Sequence, residues 1–315
     1  MKDEMVRSIL PYTCIVGQRK LKLALELAYI APRIGGVLLS GKRGTAKSTA
    51  VRAFACMLYD ALPVTIPINA TEDRVVGGWR IDELLKGQPV EQPGLVEEAN
   101  GKLLYIDEVN LLDDHIVNIL LDVTSTGKLV IQREGRGDQR DVQVTLVATM
   151  NPEEGGLRPQ LLDRFGLMVG VETEEDPQMR RAILETVLNF DRALLQERQG
   201  QVSAFLEQAR AQTARYREKL ERARELFPDV ELSASVAEKC IALADGFKVE
   251  GHRSDYLLAL AACACAARKG NQVTTLAHLR AVAELVLRHR QPNADQFNYA
   301  PWGHEQEQLV ITLLE

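Results

Sequence analysis

A chain of 315 residues, 46% hydrophobic and 26% charged, has the composition of a globular protein of about two domains. Its formal charge of −6 argues against a protein whose main task is to coat nucleic acid, since that needs a basic field. No apolar run approaches the roughly 20 residues needed to cross a bilayer, and the start carries Lys2, Asp3 and Glu4 where a secretory signal would be apolar, so a cytosolic home is expected. The five cysteines (14, 56, 240, 263 and 265) lie in apolar or helical contexts and read as small buried hydrophobes of a reducing compartment. The histidines are scattered, without zinc-ligand spacing.

Residues 14–18, Cys-Ile-Val-Gly-Gln, precede an amphipathic helix predicted from about Arg19 to Ala31 and ended by Pro32. The short apolar run Gly36 to Ser40 then meets Gly41-Lys42-Arg43-Gly44-Thr45-Ala46-Lys47-Ser48, which opens into a second helix reaching about Leu62. Strand, glycine-rich turn, Lys-Ser and helix is the arrangement of a phosphate-binding loop. Glycines there let backbone N–H groups converge on phosphate oxygens, at a helix N-terminus that already favours anions. Lys47 would reach the β- and γ-phosphates, and the Ser48 hydroxyl would ligate Mg²⁺. Ala46 stands where the second glycine of the pattern sits. A left-handed backbone costs a residue with a Cβ about 1–2 kcal/mol, so a right-handed angle is expected at Ala46.

Residues 69–92 are polar and glycine-bearing and read as an insertion. Leu103 to Ile106 is a continuous apolar run ending in Asp107-Glu108, the pattern of a buried parallel strand with carboxylates at its tip. Asp113 or Asp114 caps a helix carrying Ile116, Ile119, Leu120 and Val123. Residues 127–145 read as a β-hairpin whose second arm begins near Asp141. That arm runs into a buried strand, Val144 to Thr149, stopped by Asn151-Pro152. From about Asp191 to Phe227 long helices of mixed charge read as a solvated connector. Helices are predicted over 233–246, 254–269 and 274–289. The middle one is capped by Ser254 and is apolar nearly all round, so it belongs inside a small bundle. The polar tail after Pro292 is expected to be irregular.

Several side chains line up behind the loop. Asp107 is placed to hold the Mg²⁺ hydration shell, and Glu108 to orient and deprotonate an attacking water. The competing reading is two solvated carboxylates at a strand end. Asn151 would contact the γ-phosphate or the water if its strand lies between the other two, whereas the plain alternative is a turn residue before Pro152. Arg164, in Leu161-Leu162-Asp163-Arg164-Phe165, could reach a neighbouring subunit's ATP, or could pair with Asp163 or Glu174 within the chain. Arg253 could report the γ-phosphate to the C-terminal bundle, or be a surface arginine beside a helix cap.

Taken together these motifs resemble the ATPases associated with diverse activities (AAA+), and within them the I-type subunit of magnesium chelatase. The resemblance covers nearly the whole chain, from Ile15-Val16-Gly17-Gln18 to His289-Arg290. Its most discriminating pieces are Asp107-Glu108-Val109-Asn110-Leu111-Leu112, Asn151-Pro152-Glu153-Glu154 and Leu161-Leu162-Asp163-Arg164-Phe165. It implies a ring, usually hexameric, with ATP and Mg²⁺ between subunits. Lys47 and Ser48 then correspond to Walker A, Asp107 and Glu108 to Walker B, and Asn151 to sensor 1. Arg164 corresponds to the arginine finger and Arg253 to sensor 2, with Ser48 and Asp107 on the metal. Val16, Gly17, Gly41, Arg43, Gly44, Thr45, Ala46 and Thr49 complete the implied nucleotide contacts. The hairpin matches the pre-sensor insertion, and residues 69–92 match a second insertion in compact form.

The resemblance further implies a partner with a von Willebrand A-type domain and a large porphyrin-binding subunit, with Mg²⁺ inserted into protoporphyrin IX. The expected fold is a five-stranded parallel α/β ATPase core with a pre-sensor hairpin, over 1–190. A helical connector over 191–230 and an all-helical lid over 231–315 follow. The rival reading is a MoxR-like chaperone ATPase that remodels a von Willebrand A partner unrelated to tetrapyrroles. A DNA-remodelling ring is disfavoured by the charge and by the lack of an appended helix-turn-helix.

Overall fold

The computed structural model describes residues 2–84, 86–88, 90–133, 136–291 and 302–315. Helices α1 (Lys2–Arg7) and α2 (Arg19–Ile30) lead into strand β1 (Val37–Ser40), and α3 (Lys47–Tyr59) follows the glycine-rich loop. After β2 (Val64–Ile66) comes an insertion of short pieces: α4 (Glu72–Val76), β3 (Gly77–Trp79), α5 (Ile81–Leu84), β4 (Glu91–Pro93) and α6 (Leu95–Glu98). Strand β5 (Leu103–Ile106), helix α7 (Asp114–Thr126) and the hairpin β6 (Lys128–Arg133) and β7 (Arg136–Asp141) follow. Strand β8 (Thr145–Met150), helix α8 (Pro159–Arg164) and strand β9 (Leu167–Gly170) complete the α/β part. Helices α9 (Pro177–Arg198), α10 (Ala204–Leu226), α11 (Ala234–Gly246), α12 (Arg253–Arg268), α13 (Leu276–Leu287) and α14 (His304–Leu314) form the rest.

Five parallel strands make the central sheet, in the order β2-β5-β8-β1-β9. Every residue of β1, β5 and β8 is buried, which is why these segments are continuous apolar runs rather than alternating ones. The order puts β8 between β1 and β5, so the carboxyl ends of three adjacent strands release Gly41, Asp107 and Asn151 side by side. In open α/β sheets that edge is where ligands sit. One face of the sheet is covered by α2, α3 and, in the same continuous core, the lid helices α12 and α13. The other is covered by α7 and α8, through Ile116, Leu120 and Leu161.

The connector is not merely solvated. Glu26 of α2 has no exposed surface and accepts hydrogen bonds from Tyr12 (2.9 Å) and from Tyr216 of α10 (2.9 Å). Arg268 of α12 completes the cluster as its ion-pair partner. A buried carboxylate is tolerable only with such a set of partners, and these bind the connector and the lid to helix α2 of the core.

Other expectations change as well. Helix α9 begins at Pro177, capped by Asp176, and runs unbroken across residue 190. Asp113 is the cap of α7, accepting from the His115 amide at 2.8 Å. Ser254 is not a cap: α12 starts at Arg253, and the buried Ser254 hydroxyl has no hydrogen-bond partner. The second hairpin arm is Arg136–Asp141, ending where it was expected to begin. It carries no apolar alternation because Arg140 is held by charge, with Glu97 at 2.8 Å, Glu91 at 2.6 Å and Asp138 at 2.9 Å. Residues 304–314 of the polar tail form α14, which buries Val310 and Leu314 in the core, while Trp302 stacks on Phe247 at 5.3 Å. All five cysteines are free; Cys240 and Cys265 are buried, whereas Cys14, Cys56 and Cys263 are only partly so.

Candidate functional site

The loop leaves the sheet where β1 and β9 end together. A Cβ built on Gly41 would lie 2.1 Å from the Val171 carbonyl oxygen, so only glycine fits that exit. Ala46 is left-handed, at φ 63° and ψ 17°, against the right-handed angle expected. The requirement of the turn into α3 outweighs the steric cost of the methyl group. Ala46→Gly is therefore expected to stabilise the protein by roughly 0.5–1 kcal/mol, the relief of strain less the entropy of a new glycine. Denaturant unfolding checks this, and a destabilised variant contradicts it.

Lys47 opens α3, and its ammonium donates to the carbonyls of Gly41 and Lys42, the latter at 2.7 Å. Burial pushes its pKa down, against the pull of Asp107, Glu108 and Glu154, so those carboxylates help keep it charged. Arg43 bridges Glu154 at 2.5 Å and Glu108 at 3.6 Å. Glu108 is another left-handed residue, at φ 57°, fixed by a hydrogen bond from its amide to Thr149 Oγ1 at 3.2 Å. Asn151 is buried, and its side chain caps the following turn, accepting from the Glu153 amide at 3.3 Å and donating to Glu154 at 3.1 Å. The turn role weighed for Asn151 is thus real, beside its place at the strand tip.

Ser48 and Asp107 are joined by a residue not singled out from the sequence. Tyr105 Oη is 2.9 Å from Ser48 Oγ and 2.7 Å from Asp107 Oδ1, and Thr149 Oγ1 donates to the same carboxylate oxygen at 2.6 Å. Burial, with Asp107 adding to it, pushes the phenol up to about 12, so it stays a donor. The signal available was the two-residue strand period, which sets Tyr105 with Asp107 and Thr149 with Asn151 on common faces. A carboxylate and a hydroxyl oriented this way form a hard-oxygen donor pair suited to Mg²⁺.

Beside the loop, a cleft of about 350 Å³ is lined by Ile15, Val16, Gln18, Gly44, Ala46 and Thr49, among others. Gly17, at φ 68°, turns the chain at its edge. Apolar walls leading to a glycine-rich loop at a helix N-terminus suit a flat heterocycle bearing phosphates.

The two remaining arginines lie elsewhere. Leu167 of β9 is level with Val37 of β1, and Gly170 with Ser40. Arg164 precedes β9, while the loop follows β1. The length of the strand, about 13 Å, therefore separates Arg164 from its own loop. Its guanidinium bonds Asn118 and Asp122 of α7, not Asp163 or Glu174. Asp163 pairs instead with Arg290 at 3.1 Å. Arg253 donates to the Arg164 carbonyl at 2.8 Å, so it sits at the same amino-terminal end of the sheet. Burial and the nearby Arg253 charge both push the pKa of Arg164 down.

Known proteins resemble this chain over most of its length. Residues 36–165 match the AAA domain (dynein-related subfamily), and residues 234–308 match the AAA lid domain. The magnesium-chelatase subunit ChlI homolog of Methanocaldococcus jannaschii is 38% identical, over 91% of this chain and 86% of that protein. The magnesium-chelatase 38 kDa subunit of Cereibacter sphaeroides is 39% identical, over 89% of this chain and 91% of that protein. The chain belongs to the family of magnesium-chelatase ATPase subunits. An uncharacterized protein of Mycobacterium tuberculosis, Rv2850c, is 39% identical, and there the chain spans 44% of the relative's length. Among solved structures, a cryo-EM-based complex of subunits BchI and BchD of magnesium chelatase is similar at a TM-score of 0.50 and 36% identity, covering 92% of this chain and 98% of that one. A putative ATPase from Cytophaga hutchinsonii shares the fold at a TM-score of 0.63 and 18% identity, covering 99% and 91%. The AAA domain match takes in the glycine-rich loop, and the AAA lid match takes in the C-terminal helices. Among the described residues, no helix is long and apolar enough to cross a membrane.

Proposed function

We propose that the loop and the adjoining cleft hold Mg-ATP, and that its hydrolysis drives conformational work in a ring of this chain. The single observation that carries the reading is the convergence of Gly41, Asp107 and Asn151 at three adjacent strand tips, with Tyr105 tying Asp107 to Ser48. Lys47 and the loop amides bind the phosphates, while Val16, Gly17 and Thr49 border the base and ribose. Ser48 and Asp107 hold Mg²⁺, which when bound neutralises charge on the phosphate oxygens. Glu108 takes the proton from the attacking water, and Asn151 orients it. Arg43, salt-bridged to Glu108, keeps that carboxylate aimed.

Arg164 and Arg253 serve a neighbour. Both lie at the end of the sheet away from their own loop, where the Arg253 guanidinium is bonded to the Arg164 carbonyl and its charge acts on Arg164, a pair of arginines suited to an anion from outside the subunit. The ring, which we take to be hexameric, works with a von Willebrand A-type D subunit and a large porphyrin-binding subunit to insert Mg²⁺ into protoporphyrin IX. The family supports this reading. A cytosolic setting belongs to it, supported by five free cysteines.

Lys47→Ala tests the site. It is expected to weaken Mg-ATP binding by about 100-fold or more, since a charged phosphate contact contributes roughly 3 kcal/mol. Circular dichroism should be unchanged, and wild-type affinity in the variant overturns the reading.

A further inference from the structure

The backbone carbonyls of Asp163, Arg164, Phe165 and Gly166, in unbroken succession, all accept hydrogen bonds from side chains of the lid. Arg164 is the last residue of α8, and the closing carbonyls of a helix find no partner within it. Arg253 of α12 serves the Arg164 carbonyl. The other donors come from the tight turn Arg288–Arg290 that follows α13. His289 Nε2 donates to the Phe165 carbonyl at 3.0 Å. Arg290 donates to the carbonyls of Asp163 at 2.7 Å, Phe165 at 2.5 Å and Gly166 at 3.2 Å.

Arg290 stands out in this set. Its side chain is 1% exposed, yet every N–H of the guanidinium has an acceptor. Nε bonds the Asp163 carboxylate, Nη1 the carbonyls of Gly166 and Val286, and Nη2 those of Asp163 and Phe165. Burying such a charge is costly unless its donors are satisfied. A lysine in its place would present one point of charge and could not span these acceptors. The same segment is also pressed against the turn Pro32–Ile34, since a Cβ on Gly166 would lie 1.8 Å from the Ile34 carbonyl oxygen. The backbone that carries Arg164 is thus held by the lid and by the core together.

We propose that Arg290 is a positioning residue for Arg164, the arginine that completes a neighbouring subunit's nucleotide site. By saturating the carbonyls on both sides of Arg164 it fixes the end of α8, and His289 assists through Phe165. The inference rests on the shared site proposed above. Arg290 itself touches no nucleotide, because its partners precede β9 and so lie at the end of the sheet away from the loop of its own subunit. The docking of each lid therefore sets the geometry of the site next door.

The test is a double-mutant cycle on the full chain, reading kcat for ATP hydrolysis and the affinity for Mg-ATPγS. Arg290→Lys keeps the charge beside Asp163 and loses the fork. It is expected to lower kcat about 10- to 100-fold, as for a catalytic group misplaced by about an ångström, and to leave Mg-ATPγS affinity within about twofold. In an Arg164→Ala background the same substitution is expected to cost less than about twofold more, because a residue acting through Arg164 has nothing left to act on. Equal losses in the two backgrounds, weakened Mg-ATPγS binding, or unchanged kcat in Arg290→Lys alone overturn the proposal. Should Arg290→Lys not fold, His289→Ala and His289→Gln serve as a pair, since glutamine can place an amide N–H where His289 Nε2 donates. His289→Ala is expected to lose about three- to tenfold in kcat, and His289→Gln to return to within about twofold of wild type. Equal losses in both, or in neither, overturn it. Arg164→Ala separates the two readings: unchanged kcat there removes the shared site, and this inference with it, whatever Arg290 does.

Discussion

Glu108→Gln is expected to bind ATP at close to wild-type affinity and to hydrolyse it about 10²- to 10⁴-fold more slowly, the range for loss of a general base. The substitution keeps the size of the side chain and removes its ability to take a proton, together with the charge that faces Arg43 and Lys47. The backbone supports a dedicated role: Glu108 is held left-handed, a conformation that costs a residue of this kind about 1–2 kcal/mol. Strain of this sort is kept where the surroundings over-determine it, and here the Thr149 hydroxyl and Arg43 do so. Single-turnover hydrolysis separates chemistry from binding. Normal turnover in Glu108→Gln would show that another group activates the water.

Mixing Arg164→Ala subunits with wild type is expected to lower ATPase activity more steeply than dilution. Arginine fingers contribute roughly 10³- to 10⁵-fold in rate where they have been removed, so each variant subunit silences its neighbour's site, and in a ring whose sites act together one silenced site slows the others as well. The side chain also pairs with Asp122 on α7, and that exposed pair contributes at most about 1 kcal/mol of stability. The variant should therefore fold. A titration of variant into wild type at constant total protein measures the effect, and a strictly linear decline argues against a ring whose shared sites act together.

The parts of this protein legible in its sequence are those where one physical requirement dominates. Strands β1, β5 and β8 are buried on both faces, so they read as plain apolar runs, and the residues leaving their tips were found with them. The hairpin arm Arg136–Asp141 was hidden because charged partners on α6 and β4 sustain it rather than a core. Helix α14 was hidden among polar residues because it buries chiefly Val310 and Leu314. At Ala46 the local preference of the residue pointed one way and the turn required the other. Tyr105 lies inside an apolar run and looks like core until its hydroxyl is seen between Ser48 and Asp107. The placement of Arg253 depends on how the lid docks against the sheet, which motif spacing does not encode.

Metal insertion powered by this ATPase is tested directly by reconstitution. The chain is combined with a magnesium-chelatase D subunit and the large porphyrin-binding subunit, and Mg²⁺ insertion into protoporphyrin IX is followed by fluorescence. Insertion is expected with ATP and the wild-type chain, and not with Glu108→Gln in its place. Steady ATP hydrolysis with no insertion, across D and large subunits from several chelatases, would contradict the account and favour work on an unrelated partner.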